Sequence, residues 1–469
     1  MNGIIGVRTV SADDASAIAD LMLGALKHRG STSRVEYMEN KTDCALAIGC
    51  LSHPGTVQEI ARSRTTIAVL NGSFYRRPTA RNAERILHRV SVLPTRTAIR
   101  EVAREIGGFS GLVAKGSVLY AFRDVNGLRP LYYARSPRMA AFASERKALW
   151  RIGLKYPQAV RPGCVLSSTE NGVAETTMVQ FRRPSEKKVS FKQASAILRR
   201  LLSNSVRRIT AQTGKVCVAF SGGLDSAVTA AMAKKAGVDV HAVSVGLVGS
   251  SEISTVEKFA NQLGLGITLE TFDSESIEEY VRRVLWLIEE PNMMKLSVAI
   301  PLHWAAMVAS RCGCKVMLCG QGSDELYGGY SKYASILRRG GRGALVTQLY
   351  RSVIESSRVN YERDDQATSP FPVELRTPFA DPDLIKFSLT IPSEFKVKDG
   401  DDVTRKWVLR DVARRVGVPE DIVWRRKKAI QHGTGVEKAI IKLAKSRGLR
   451  PDEYLSSTFE DVRRMESMP

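Results

Sequence analysis

Apolar and polar positions along the chain fall into two regimes. Up to about residue 180, short apolar runs alternate with polar turns, and helical spacing appears in two stretches, 14–28 and 80–89. From 191 the rhythm changes. An amphipathic helix is predicted over 191–210, followed by apolar runs of strand length at 216–220, 238–245, 267–272 and 315–319. Between them lie helical patterns at 227–235, 253–263, 277–287 and 299–310. Strands and helices that alternate in this way predict an α/β fold with a doubly wound parallel sheet. Beyond Leu326 the pattern is mostly helical, and no internal repeat or low-complexity tract interrupts it. The segment 181–190 opens with Phe181-Arg182-Arg183-Pro184-Ser185-Glu186-Lys187-Lys188, polar and Pro-containing, and reads as a linker between domains at 1–180 and 191–469.

Composition narrows the setting. The chain has 469 residues, enough for two or three domains, and is 43% hydrophobic, enough for large cores. No run of 18 apolar residues occurs, and the N-terminus lacks the basic and long apolar regions of a signal peptide. A cytoplasmic location with no membrane partner is expected. The seven cysteines, at 44, 50, 164, 217, 312, 314 and 319, form no disulfide framework, which fits a reducing compartment. Cys312-Gly313-Cys314 and Cys319 have neither the spacing nor the fourth ligand of a zinc site, so buried thiols are expected. Net charge is +22. Residues 1–180 hold 25 Lys+Arg against 14 Asp+Glu, and the longer remainder holds 45 against 34, so the excess is denser in the first part. Such a surplus attracts polyanions, RNA among them. Its basic doublets are scattered and not interleaved with aromatics, the pattern of a solvated surface.

Two segments about a hundred residues apart carry the chemistry. The first is Ser221-Gly222-Gly223-Leu224-Asp225-Ser226, between an apolar strand pattern and an Ala-rich helix. A turn of this kind points backbone N–H groups and a helix N-terminus at an anion. Its glycines allow close approach to phosphate oxygens, and its serines add hydroxyl donors. No Lys-Ser/Thr pair follows the glycines, so the loop is not a Walker A motif. A carboxylate there, Asp225, would repel phosphate unless Mg²⁺ sits between them. The second segment is Gly320-Gln321-Gly322-Ser323-Asp324-Glu325-Leu326-Tyr327-Gly328-Gly329-Tyr330, after the apolar Val316-Met317-Leu318-Cys319. Asp324 is the candidate for a second metal carboxylate.

Both segments resemble the nucleotide loops of the asparagine synthetase family. The resemblance extends to Glu374-Leu375-Arg376-Thr377-Pro378-Phe379-Ala380-Asp381, to Lys406-Trp407-Val408-Leu409-Arg410, and to Trp424-Arg425-Arg426-Lys427 with Gly433. In the first part it covers His28-Arg29-Gly30, Leu70-Asn71-Gly72, Arg123-Asp124 with Gly127 and Pro130-Leu131-Tyr132-Tyr133, and Phe142-Ala143-Ser144-Glu145-Arg146-Lys147-Ala148-Leu149. It implies an N-terminal Ntn-type αββα sandwich, glutamine amidotransferase-like, joined to an ATP-pyrophosphatase domain of the adenine nucleotide α-hydrolase-like kind with a helical C-terminal part. The implied cofactors are ATP and Mg²⁺. The implied ATP-binding residues are Ala219, Ser221, Gly222, Gly223, Leu224, Asp225, Ser226, Val245, Gly246, Cys319 and Gly320. Asp225 and Asp324 are the metal carboxylates by this reading. Lys427, Gln321 and Asp225 carry catalysis, and Gln321, Glu374 and Arg376 face the acyl substrate.

The implied reaction is adenylation of a carboxylate, most simply aspartate, with loss of pyrophosphate and then amidation by ammonia. A different carboxylate or a substrate amine, as in β-lactam synthetases, is the competing reading, and an RNA-associated protein that uses ATP is a third. A homodimer remains open. Two departures from the family pattern matter. Asn2 stands where the family glutaminase has its Cys nucleophile, and an amide cannot be activated for attack. Asn71 and Gly72 would then be remnants of an oxyanion hole in a scaffold that no longer hydrolyses glutamine. Gln321 replaces the Glu of the asparagine-forming enzymes, keeping the shape but losing the charge. Pro372, where the family has Gly, lies near the same pocket.

Overall fold

A computed structural model describes residues 2–40, 44–76, 81–250, 253–426 and 433–467. Two compact units result: residues 1–180 with 369–372, and residues 181–368 with 373–469.

The first unit holds two six-stranded sheets whose paired strands are antiparallel. Strand side chains alternate between faces, and here both faces are covered. Ile4 packs with Leu46, Ile48, Ile67, Val69 and Leu112 between the sheets. Its neighbours Ile5 and Val7 point the other way, onto Ala15, Ala19, Met22 and Leu23 of helix Ala12–Ala25. The second sheet buries Ala68, Leu70 and Phe109 against Ile86, Val90, Ile99 and Val102 of helices Asn82–Val92 and Thr95–Ala103. The layers run helix, sheet, sheet, helix. Strands such as Cys44–Ser52, buried at every position, read as continuous apolar runs for that reason.

The second unit is built on a parallel five-stranded sheet. Its order is Gly266–Phe272, Asp239–Leu247, Lys215–Ala219, Val316–Leu318, Glu374–Arg376. The fifth strand was not foreseen, because three residues leave no periodicity to read. Cys217 pairs with Met317 and Val218 with Leu318, so the two central strands end level with each other. The loops that follow them therefore emerge side by side at the carboxyl edge, where ligands bind in such sheets. Helix Leu224–Lys235 is buried along most of its length. Helix Met293–Arg311 is long and apolar enough to cross a membrane by composition, but most of it is buried inside this unit. The linker is docked rather than free: Ser393 N donates to Glu186 and Lys187 N to Thr390 O.

Candidate active site

The phosphate-type loop is braced from within. Gly222 has φ +65. Ser221 N donates to Ser226 Oγ at 3.3 Å, and that hydroxyl donates to Gly223 O at 3.1 Å. Ser226 thus shapes the loop from behind. Arg425 closes it from outside, donating to Gly222 O at 3.1 Å with its guanidinium over Phe259.

A cleft opens beside this loop. Its lining includes the apolar side chains of Val243, Val245, Val256, Pro301, Leu302 and Ala305. It also includes Lys406, Arg410, Arg425 and Arg426, cations suited to an anionic ligand. Of the sequence-predicted nucleotide residues, Ala219, Ser221, Gly223, Leu224, Asp225 and Val245 line the cleft. Gly246 stands against Ser250 and Thr434 instead. Cys319 is buried, which pushes its thiol up to about 12. Gly320 is where the loops touch: a Cβ there would lie 2.6 Å from Asp225 Cβ and 3.0 Å from its carbonyl carbon. Its absent side chain lets the two loops meet.

Asp225 and Asp324 converge on a group that the sequence did not assign to them. Lys406 Nζ lies 2.6 and 2.7 Å from the Asp225 oxygens and 2.6 Å from Asp324 Oδ1. Ser323 completes the cluster, donating to Asp225 at 2.7 Å and lying 3.2 Å from Nζ. Gly329 makes room for the lysine chain; a Cβ there would sit 2.2 Å from Lys406 Cε and 1.8 Å from Asp324 Oδ1. The donor set suits Mg²⁺, since hard carboxylate oxygens of both residues aim at one point. In this state that point is held by an ammonium. Lys406 was visible in the sequence as part of a motif, but nothing local assigned it a role.

The predicted acyl-substrate residues stand apart from the cleft lining. The Gln321 carbonyl accepts from Thr377 Oγ1 at 2.6 Å. Glu374 and Arg376 pair with each other at 2.5 Å on the edge strand, and Arg376 also donates to Ile209 O at 2.6 Å. Behind Gln321 a π-helical turn, Ser357–Tyr361, places Asn360 Nδ2 on buried Glu325 at 2.9 Å, and Tyr330 donates to the same oxygen at 2.7 Å. Burial and neighbouring Asp324 push the Glu325 carboxyl up. Lys427 lies outside the described residues.

In the first unit, Asn2 Nδ2 donates to Leu70 O at 3.4 Å, beside Asn71 and Gly72. Asn71 is fully buried, and neither polar atom of its amide has a hydrogen-bond partner among the described residues. Nearby, buried Glu145 accepts from His28 at 3.0 Å and from Arg29 and Lys147. Burial alone would raise that carboxyl, but the charges of Arg29 and Lys147 and the hydrogen bond from His28 hold it well below its usual range. The seven cysteines are free, and no cluster of three metal-ligating side chains occurs among the described residues.

The asparagine synthase family model matches residues 197–358 and 340–456, the part of the chain that builds this cleft. The chain belongs to the asparagine synthetase family. It is 32% identical over 387 residues to "Putative asparagine synthetase (glutamine-hydrolyzing) 1" of Methanocaldococcus jannaschii, covering 72% of this chain and 71% of that one. It is 26% identical to the Schizosaccharomyces pombe "Probable asparagine synthetase (glutamine-hydrolyzing)", covering 93% and 85%. Among solved structures, a glutamine phosphoribosylpyrophosphate amidotransferase from B. subtilis overlaps 57% of this chain and 65% of its own, at 17% identity and a TM-score of 0.35. Membership makes this asparagine synthetase homologue an ATP-using ligase that forms C–N bonds.

Proposed function

We propose that the protein is an AMP-forming amide ligase that adenylates a carboxylate, aspartate first among candidates, and transfers the acyl group to ammonia. The observation that carries this reading is the meeting of Asp225, Ser323, Asp324 and Lys406 beside a cleft that Asp225 and Lys406 line together with apolar side chains. The purine is assigned to the apolar lining residues, and the polyphosphate to the loop 221–226 and the cationic side chains. If that loop grips the β- and γ-phosphates, pyrophosphate is the stabilised leaving group and attack falls on the α-phosphorus. A substrate carboxylate attacking there gives an acyl-adenylate, and an amine displaces AMP.

Asp225 and Asp324 would hold Mg²⁺, whose chemistry is to neutralise charge on phosphate oxygens. Arg425 keeps the loop closed through Gly222 O. Arg410 donates to the carbonyls of Thr404 (2.6 Å), Arg405 (2.8 Å) and Val423, which ties the lysine turn to the segment leading to Lys427. Lys427 is assigned to the developing phosphate charge, where oriented cations contribute most. Nitrogen comes from ammonia, because Asn2 offers no nucleophile for glutamine. The neutral amide of Gln321 favours a second reading, in which the acyl substrate is not aspartate.

The test is product analysis with ATP, Mg²⁺, ammonium and single carboxylic acids. Pyrophosphate and AMP should appear in equal amounts and disappear in Asp225→Ala and Asp324→Ala. ADP and phosphate as products would refute the bond assignment.

A further inference from the structure

Lys406 is placed at a cost. It and Arg405 are consecutive non-glycine residues with positive φ, 56 and 51. Each such conformation is strained for an L-residue and persists only where the surroundings enforce it. They do so here. Asp402 accepts from the backbone N–H of Thr404 at 2.9 Å and of Arg405 at 2.8 Å. Arg405 Nε donates to Gly329 O at 3.0 Å, and Arg410 holds the carbonyls of Thr404 and Arg405. The result is an ammonium 3% exposed, wedged between two carboxylates from different loops.

We infer that Lys406 is a resident counter-cation: in the nucleotide-free protein it occupies the metal position, and a dication enters only together with the nucleotide. The inference rests on the reading of Asp225 and Asp324 as the metal pair. Mg²⁺ binds oxygen at about 2.0–2.1 Å, so a metal shared by these carboxylates would overlap an Nζ that is 2.6 Å from each. The two cations exclude each other. A bare dication must break every Lys406 contact and then face Lys406, Arg410, Arg425 and Arg426 with no new anion to offset them. A metal–nucleotide complex carries net negative charge and is attracted by the same four side chains. Until it arrives, the ammonium keeps the paired carboxylates from repelling one another and holds the two loops in register.

The probe is Mn²⁺, followed by the loss of its free electron paramagnetic resonance signal on adding the full-length protein. Unsubstituted protein should bind no Mn²⁺ alone and one Mn²⁺ when ATP is added. Lys406→Met should bind one Mn²⁺ without ATP, at least tenfold more tightly than the unsubstituted protein. Lys406→Arg, which keeps a cation in place, should not. The double variant Lys406→Met with Asp225→Asn should lose the site again. Unsubstituted protein that takes up Mn²⁺ without nucleotide overturns the inference whether or not the variants fold. So does a folded Lys406→Met that still needs ATP. If ATP and Mn²⁺ together show no binding to the unsubstituted protein, the nucleotide-site reading itself has failed, a different result from either of these.

Discussion

Gly320→Ala tests whether the two nucleotide loops must touch. Its backbone is not in the left-handed region, so the penalty is steric and not conformational. The added Cβ would sit 2.6 Å from Asp225 Cβ, 3.0 Å from Asp225 C and 3.1 Å from Ser226 N. Carbon atoms in contact rest at about 3.5–4.0 Å, so the loops must part by about 1 Å. Two of the three opposing atoms are backbone, and no flexible side chain can absorb the shift. A displacement of about 1 Å at reacting groups costs about 100-fold in rate, or about 2.7 kcal/mol of transition-state stabilisation. Overpacking should also lower stability by about 1–3 kcal/mol. The assay is carboxylate-dependent ATP–pyrophosphate exchange, with thermal melting alongside. Gly343→Ala is the control, because nothing lies within 4 Å of its Cβ. An exchange rate within twofold of the unsubstituted protein, with unchanged melting, would refute the claim that contact of the loops sets the geometry.

Lys427→Ala should lower kcat strongly and leave the KM for ATP nearly unchanged, whereas Lys428→Ala should do little; equal effects in steady-state kinetics would point to a general charge run. Glutamine should release no glutamate and donate no nitrogen, while ammonium should support turnover that rises with pH as free ammonia grows; glutamate formed in step with AMP would count against this. His303 is buried, and burial lowers its imidazole from 6.5 to about 4, with Nδ1 donating to Ala367 O at 2.8 Å. Between pH 6.5 and about 4 the unfolded chain binds a proton there that the folded chain refuses. Stability should therefore fall by about 3 kcal/mol as pH drops through that window. His303→Gln should flatten this acid limb in denaturant titrations of the second unit; an unchanged slope would show that His303 does not cause it.

Where local pattern decides structure, the sequence was legible. Strands buried on both faces show as apolar runs, and strand, glycine turn and helix in succession predict a loop at the carboxyl edge. The helix over 191–210 appears as Phe191–Ile209, because Ser190 and Gln193 cap each other and its apolar stripe is regular. Helix ends were harder to read. The pattern at 299–310 belongs to Met293–Arg311, which starts earlier at an Asn292 cap and carries Pro301 inside it. A proline there reads as a boundary, and only burial among neighbouring elements keeps the helix going. The pattern at 80–89 corresponds to Asn82–Val92, and a second helix, Thr95–Ala103, was not foreseen.

At the site, residue types and spacing alone nominated Asp225 and Asp324, because a carboxylate inside a phosphate-type loop calls for a cation. Which cation meets them was decided by tertiary structure. Lys406 lies 181 positions from Asp225 along the chain, and no local period relates the two. Its role follows from a strained turn, from the space left at Gly329, and from two parallel strands that end level. Pairing of Glu374 with Arg376 on a fifth strand has the same origin. Sequence patterns report the preferences of neighbours within a few residues. Contacts between distant segments depend on register and packing, which exist only once the sheet has formed.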